Sequence, residues 1–535
     1  MRGKNAAACS TGITRQIRRE QEGAEHVCVR DAVGDLSVAN LGDHVSEYSP
    51  SPAKAIMSRT LTILQINDLH GYIEPHIEMI RTGDGMTYKT LGGLPRIASA
   101  FEQIRAQCPG AVVALDNGDT FHGTYVAVQS KGEAMVPMMN GLDLDAMTAH
   151  WEFAYGPAGV KCIASQLNYP LLAINCFDQQ TGELVFPPYR MVQRNGLRVA
   201  VIGIACNIVD KTMPPAFSEG VRFTLGREEL PGWIAHVQQK ESADVIVILS
   251  HLGFPQDVKL AAEVDGIDVL VSGHTHNRME RPVIQNGTII FQSGCHGSFI
   301  GRLDIDVENM AVVAHRHELI AIDERFPPDD AMRQKVEAAM LPHRAMLSEV
   351  VGHTEVALDR YRMLHCPMDD FLLDAIAASA GTEIAFSNGW RYGAPIPPGP
   401  ITLNDLWNIV PTNPVVCTVE ISGSEIVTML EANLERTFAA DPFDQMGGYV
   451  KRCRGLNLYV KIENPRGERI ERLFLLGEAV EPERYYTVAF ITAQGVPLKF
   501  GRNRRKLKFH AIDALRQHLA RRPVSVTPRQ SVCAV

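Results

Sequence analysis

Several features are missing from this chain of 535 residues. It has no run of about 20 apolar residues, so a helical membrane span is excluded. No apolar core of about 7–15 residues follows a basic start, so the pattern of a signal peptide is lacking. The expected compartment is therefore cytoplasmic, or periplasmic if the true start lies elsewhere. Basic residues are not in excess: 52 Lys and Arg against 61 Asp and Glu leave a net charge of -9. That balance argues against a nucleic-acid polymer as partner. The eleven cysteines include no CxxC pair and are odd in number, which fits reduced thiols rather than a disulfide framework. Internal repeats and long low-complexity tracts are also absent, and nothing in the pattern sets an oligomeric state.

Residues 1–59 mix Arg, Glu, Ser and Ala without a lasting apolar period. They are expected to be disordered, or to be an extension ahead of the true start, for which Met57 is a candidate. The rest is ordinary in composition, 45% hydrophobic and 21% charged, and long enough for two or three domains. From Leu61 to about Glu324, short β-branched runs alternate with helical stretches. The strand candidates are Leu61–Asn67, Ala111–Asn117, Pro170–Asn175, Arg198–Ala205, Asp244–Ser250, Asp268–Gly273 and Thr288–Gly294. Nearly continuous apolar runs imply strands buried on both faces, as in α/β layers. Pro327 and Pro328 then break the chain, and a helical pattern follows from about Asp329 to Glu349. The expected division is 60–325 for the first domain, 326–350 for a linker helix, 351–522 for a second α+β domain and 523–535 for a flexible tail. The second domain has helix candidates at Asp369–Ala380 and Gly423–Thr437, and strands such as LNLYVKIE and YYTVAFIT.

The chemistry lies at strand ends, where open α/β sheets usually place it. The first strand ends in NDLHGY, with Asp68 and His70 two residues apart. In extended chain those two side chains point to the same side and can chelate one ion. The second ends in DNGDTFHGT, giving Asp119 after Gly118; later strands end in LSHLG, giving His251, and SGHTHN, giving His274 and His276. Each motif alone is common in turns. Four of them at strand ends, in this order, point to one site with mixed nitrogen and oxygen ligands. Such ligands suit Mn, Fe or Zn rather than Mg or Ca. Two ions bridged by a carboxylate could hold an in-line displacement, with a bound hydroxide as nucleophile.

These motifs resemble those of the 5'-nucleotidase family, over nearly everything from about Leu61 to Arg521. The resemblance implies a calcineurin-like metallophosphoesterase domain, a four-layer αββα sandwich, followed by a 5'-nucleotidase C-terminal domain. It also implies two divalent transition ions, Mn favoured, and hydrolysis of a phosphate ester, a nucleotide or another monoester. Asp68, His70 and His276 would bind one ion, His251 and His274 the second, and Asp119 would bridge.

Two departures bear on function. Family members carry Gly-Asn-His-Glu after the bridging Asp; its Asn binds the second ion and its His serves the transition state or the leaving group. Here the segment reads DAMTAHWEFAYGP. Either His150 replaces the Asn as a ligand and the acid is lost, or His150 keeps the acid role. The ligand reading is preferred, because Trp151 can neither bind metal nor shuttle a proton. The base-clamping aromatics are missing too. Pro411 is followed by Thr412, and the second position falls in ITAQGVP, without an aromatic. A stacked base would lose about 1–3 kcal/mol per missing face.

The His-Trp-Glu-Phe segment, SNGWRYG (Ser387–Gly393) and DPFDQMGGYVKRCRGL (Asp441–Leu456) resemble the SoxB-type thiosulfohydrolase branch. Those enzymes release sulfate from a thiosulfonate on a carrier protein. SHLGFPQD instead reads like the general family. Arg391 could hold a phosphate or sulfonate bidentately, with Asn388 in support and Trp390 lining the cleft. The expected partner is a small phosphate or sulfur anion, with a carrier protein as a further option. A metal- or partner-binding protein that has lost hydrolysis is the remaining alternative.

Overall fold

The computed structural model describes residues 58–83, 85–525 and 529–535. The expectation for 1–59 falls, but for Ser58 and Arg59, outside them.

The apolar runs fold as strands buried on both faces. In the strand Arg59–Ile66, Leu61 and Ile63 point into a core between two sheets, while Leu64 and Ile66 point into a second core under helices. In Val245–Ser250, Val245, Val247 and Leu249 face the same inter-sheet core, and Ile246 and Ile248 face a third. This period of two, apolar at every position, fixes a strand sandwiched between layers. One sheet runs in the order Ala311–Ala321, Phe299–Glu308, Arg59–Ile66, Val112–Asp116, Ala146–Met147. The facing sheet runs Val283–Gln285, Thr288–Phe291, Val269–Ser272, Val245–Ser250, Leu197–Ile204, Tyr189–Arg194. Helix Leu94–Gln107 covers the outer face of the first sheet, and helices Leu230–Gln239 and Phe254–Glu263 cover that of the second. The result is the expected four-layer αββα sandwich. Each fully buried Val, Leu or Ile in it contributes ~1.5–3 kcal/mol.

The central strands of both sheets are parallel, so their carboxyl ends lie together. Asn117 ties those ends across the two sheets. Its Oδ1 accepts from Gln65 Nε2 at 2.7 Å, and its Nδ2 donates to the carbonyls of Ser250 at 2.8 Å and Val271 at 2.7 Å.

Pro170–Asn175, expected as a strand, is not one. Leu171 makes a single bridge to Met147. The backbone N–H of Leu172 then goes to Met147 in the first sheet and that of Ile174 to Gly203 in the second. The segment crosses between the sheets, so its apolar residues are buried without a ladder.

Helix Asp330–Leu347 begins at Asp329, whose side chain accepts from the Met332 N–H. It lays Met332, Val336, Met340 and Leu347 into the same core as helix Leu94–Gln107. Beyond it, a mixed sheet runs Arg452–Arg454, Ile384–Ser387, Tyr485–Phe490, Val415–Ser422, Arg502–His510. Helices Pro367–Ala380, Leu403–Ile409 and Ala511–Leu519 pack on one face and Gly423–Phe438 on the other. The two long helices agree with expectation, the second starting at a Ser422–Glu425 capping box. The tail is a correction: Val532–Ala534 pairs parallel with Leu456–Val460, and Val532 is buried. An apolar edge strand was open there, and the Val-Cys-Ala segment covers it.

Replacing Asn117 by Ala removes three buried hydrogen bonds at once; Gln65 Nε2 keeps the Ser272 carbonyl, and each buried group left unpaired costs ~1–3 kcal/mol. Asn117→Ala should lower the apparent melting temperature by about 3 °C or more, whereas Val313→Ala on an exposed strand position should move it by less than about 1 °C. Equal shifts would show that Asn117 does not tie the sheets.

Candidate metal centre

Each expected ligand follows a strand end. Asp68 and His70 follow Ile66, Asp119 follows Asp116, His150 follows Met147, His251 follows Ser250, and His274 and His276 follow Ser272. Five of them turn through the left-handed region: Asp68 at φ 51°, His70 at 49°, Asp119 at 57°, His274 at 72° and His276 at 57°. That conformation costs a residue with a side chain ~1–2 kcal/mol, and such strain gathers at functional sites. Gly118 makes a close approach: at φ 86° a Cβ there would lie 2.5 Å from the Thr148 carbonyl oxygen. Only glycine lets the Asp119 loop lie against the His150 loop.

All seven expected ligands come together in two groups, all buried except the half-buried His276. One is Asp68, His70 and His276; the other is Asp119, His150, His251 and His274; within each group the ligand atoms lie within 4.8 Å of one another. Asp119 links the groups. Its Oδ1 accepts from the Trp151 N–H at 2.6 Å. Its Oδ2 faces His150 Nδ1 at 3.1 Å, His251 Nε2 at 3.2 Å and His70 Nε2 at 3.7 Å. Asp68 is divided likewise: Oδ2 accepts from Asn67 Nδ2 at 2.7 Å and the His274 N–H at 2.9 Å, and Oδ1 lies 3.2 Å from His276 Nε2.

The donor set fits two transition ions. Asp68 Oδ1, His150 Nε2, His251 Nε2 and both ring nitrogens of His274 are buried without a hydrogen-bond partner among the described residues. Buried polar atoms are rarely left so, and a bound cation would account for the Asp68 oxygen and for one nitrogen of each ring. His251 Nδ1 donates to the Asn117 carbonyl at 2.6 Å, which fixes the tautomer that leaves a lone pair on Nε2. Burial, then the Arg391 guanidinium, push His274 well below the usual imidazole range. Burial pushes His70 down to about 4. Both therefore offer neutral imidazole near pH 7. Burial alone would raise the Asp119 carboxyl, but positive charge facing it, on the His150 and His251 rings or on an ion they would hold, keeps it well below the usual carboxylate range. A third trio, His76, Glu78 and His296, also converges, yet Glu78 is already engaged by Arg278 at 2.7 Å and Tyr361 at 2.7 Å.

Two supporting residues carried no sequence signal of their own. Glu152 is fully buried and accepts from the backbone N–H groups of His150 and Thr120 at 2.7 Å each, and of Phe121 at 3.3 Å. It holds the loop bearing His150 against the loop bearing Asp119. Asp257, at the start of helix Phe254–Glu263, accepts from the Ser250 and Ser272 hydroxyls at 2.6 Å each. Those serines end the strands that lead into His251 and His274. Neither role depends on a spacing; only the acid of HWEF and that of FPQD mark them.

The site opens into a cavity of about 680 Å³. Arg391, Asn388 and Trp390 all line it, as expected of substrate contacts. Arg391 donates to the His274 carbonyl at 3.1 Å and the Gly448 carbonyl at 3.0 Å, leaving its buried Nε unpartnered among the described residues. Asn388 accepts from Thr492 at 2.6 Å and donates to Gln494, so its amide is engaged within the protein. Trp390 stacks on Tyr392 at 5.7 Å, and Trp151 stacks on His122 at 4.8 Å.

Residues 350–492 match the 5'-nucleotidase C-terminal domain family. The chain is 25% identical over 466 residues to the trifunctional nucleotide phosphoesterase YfkN of Bacillus subtilis, covering 77% of this chain and 30% of that protein. It thus spans under a third of that relative's length. The sulfate thiohydrolase SoxB of Thermus thermophilus superposes with a TM-score of 0.83 at 25% identity, over 89% of this chain and 96% of that one. A 5'-nucleotidase precursor, also of Thermus thermophilus, superposes at 0.77 with 23% identity, over 89% of this chain and 99% of that one. The fold is therefore shared with these two structures: an αββα sandwich followed by a domain that matches the 5'-nucleotidase C-terminal family. Among the described residues, no helix is long and apolar enough to cross a membrane.

Burial raises the Asp257 carboxyl from 3.8 to about 7. A raised carboxyl favours folding while it is protonated, and that contribution is lost as pH rises from about 4 through 7. Asp257→Asn cannot ionise. Its melting temperature relative to the parent should therefore climb with pH across this window; a flat or falling difference would contradict the assignment.

Proposed function

We propose that the protein is a dinuclear-metal hydrolase of small anionic esters, with phosphate monoesters as its substrate class. The observation that supports this most is Asp119 Oδ2, which faces histidines of both ligand groups. Asp68, His70 and His276 would hold one ion; His251, His274 and His150 would hold the other; Asp119 would bridge. Transition ions in such a site supply Lewis acidity and lower the pKa of water. Manganese is favoured within the Mn, Fe and Zn class.

The chain's own residues would do the rest. Asp119, ionised and fixed through Oδ1 by the Trp151 N–H, keeps the two groups in register. Arg391 is anchored by two carbonyls beside His274 and has Nε free of any partner among the described residues, so it would orient an anion toward the centre. Glu152 would keep His150 in place.

The geometry supports His150 as ligand rather than acid. Its Nδ1 faces the bridging oxygen, and the ring groups with His251 and His274. The histidines that line the cavity are His70, His150, His274 and His276, and all four belong to the ligand groups. None is left over to protonate a leaving group. The lack of a spare histidine in the cavity lining, with Trp151 in the neighbouring position, favours substrates whose leaving group needs no proton. A second reading follows from the same observation: hydrolysis of a sulfur–sulfur bond in a thiosulfonate, small or borne on a carrier. A thiolate leaves more readily than an alkoxide, and the similar SoxB structure is named a sulfate thiohydrolase.

A panel on Mn-loaded protein tests the reading: AMP, cyclic nucleotides, an aryl phosphate and a peptide bearing a thiosulfonate, each with Asp119→Asn as control. The aryl phosphate should turn over well ahead of AMP, and Asp119→Asn should cut kcat/KM on the order of a thousandfold. Turnover of the thiosulfonate alone would shift the conclusion to the second reading. Efficient AMP hydrolysis would return His150 to the acid role. No turnover of any substrate would overturn the hydrolase reading.

A further inference from the structure

The cavity beside the metal centre carries far more positive charge than the centre uses. Lys211, Arg391, Arg436, Lys451 and Lys499 line it, and the lining carboxylate is Asp119, which belongs to the ligand group. This occurs in a chain of net charge -9, so the imbalance is local. Lys211 is offset by Asp210 at 3.6 Å, and Arg391 belongs to the centre. Arg436 and Lys451 have no such account.

They are neighbours. Asn433 and Arg436 are three residues apart on helix Gly423–Phe438 and so share a face. The Asn433 side-chain oxygen accepts the Lys451 backbone N–H at 2.6 Å, which brings Lys451 to that face. Lys451 is 5% exposed. Its ammonium donates to the Gln494 carbonyl at 2.6 Å, which leaves two of its three N–H donors over. The acids on the same helix are turned elsewhere: Glu435 pairs with Arg469, and Glu431 accepts the Ile470 N–H at 2.6 Å. Two cations thus stand together at a cavity wall with no carboxylate partner among the described residues, an arrangement costly for a buried ammonium unless an anion visits. Burial, then the Arg436 guanidinium, hold the Lys451 ammonium down to about 7; a bound anion would reverse that shift. Met429, Met446 and Phe500 add apolar wall to the same cavity.

We propose that Arg436 and Lys451 form a second anion subsite, so that the cavity takes a small molecule with two acidic ends joined by an apolar spacer. The end at the metal centre carries the scissile group; the far end is a phosphate, sulfonate or carboxylate. This rests on the reading of the metal centre as the place where the first anion is held. It also gives the substrate an anchor where the base-stacking aromatics are missing, since Thr412 and Ala493 line the same cavity.

Calorimetry with alkane-1,ω-bisphosphonates of three to eight carbons, each against the alkylphosphonate of equal length, tests the subsite on Mn-loaded full-length protein at fixed salt. Phosphonates are not hydrolysed, so binding is read apart from turnover. At a fitting length the bisphosphonate should bind at least about tenfold tighter. Arg436→Gln and Lys451→Met should each reduce that advantage to about twofold or less. Arg436 is exposed, so its variant folds even if Lys451→Met does not, and it then decides alone. Equal binding of mono- and bisphosphonate at every length, or an advantage that Arg436→Gln keeps, would overturn the subsite. An intact advantage with a silent hydrolysis panel would overturn the hydrolase reading and leave the subsite standing.

Discussion

One carboxylate oxygen holds the site together. Asp119 Oδ2 faces His70 of one ligand group and His150 and His251 of the other, at 3.1 to 3.7 Å. To reach that position Asp119 adopts a left-handed backbone, Gly118 lies against the Thr148 carbonyl where a Cβ would collide, and Glu152 clasps the two loops through backbone N–H groups. The sandwich beneath supplies the rigidity that this strain requires. Its parallel strands end at one edge, and Asn117 stitches the edge across both sheets. Ligands borne on such an edge need no loop rearrangement to converge.

The second part of the chain completes the site rather than merely following it. Arg391 reaches the carbonyl of a ligand histidine, and the Ala394 N–H donates to the Tyr72 hydroxyl at 2.7 Å. On the proposed reading, charge for the substrate would come from one part and the ion ligands from the other. The cavity walls combine both, so specificity would be set by residues distant in sequence from the candidate ligands.

Much of this was legible from sequence because the signals are local. A strand buried on both faces reads as an unbroken apolar run, and a ligand just past it reads as a polar residue at a defined offset; Asp68, His70, Asp119, His251, His274 and His276 all follow that rule. His150 was legible as a ligand candidate through the Trp beside it. Pro170–Asn175 misled, because an apolar run between two sheets has the same composition as a strand within one. The terminal Val532–Ala534 strand was missed because three residues give too little periodicity. Glu152 and Asp257 act through backbone and serine groups brought close only by folding. Arg436 and Lys451 meet through Asn433, a contact that no spacing announces.

The most direct measurement of the bridged centre is the low-temperature electron paramagnetic resonance spectrum of protein loaded with two equivalents of manganese. Two ions sharing the Asp119 carboxylate must be exchange-coupled, giving a multiline spectrum with hyperfine spacing near half that of an isolated ion; Asp119→Asn should weaken that coupling or give isolated ions. A parent spectrum of isolated manganese, at any loading, would contradict the account.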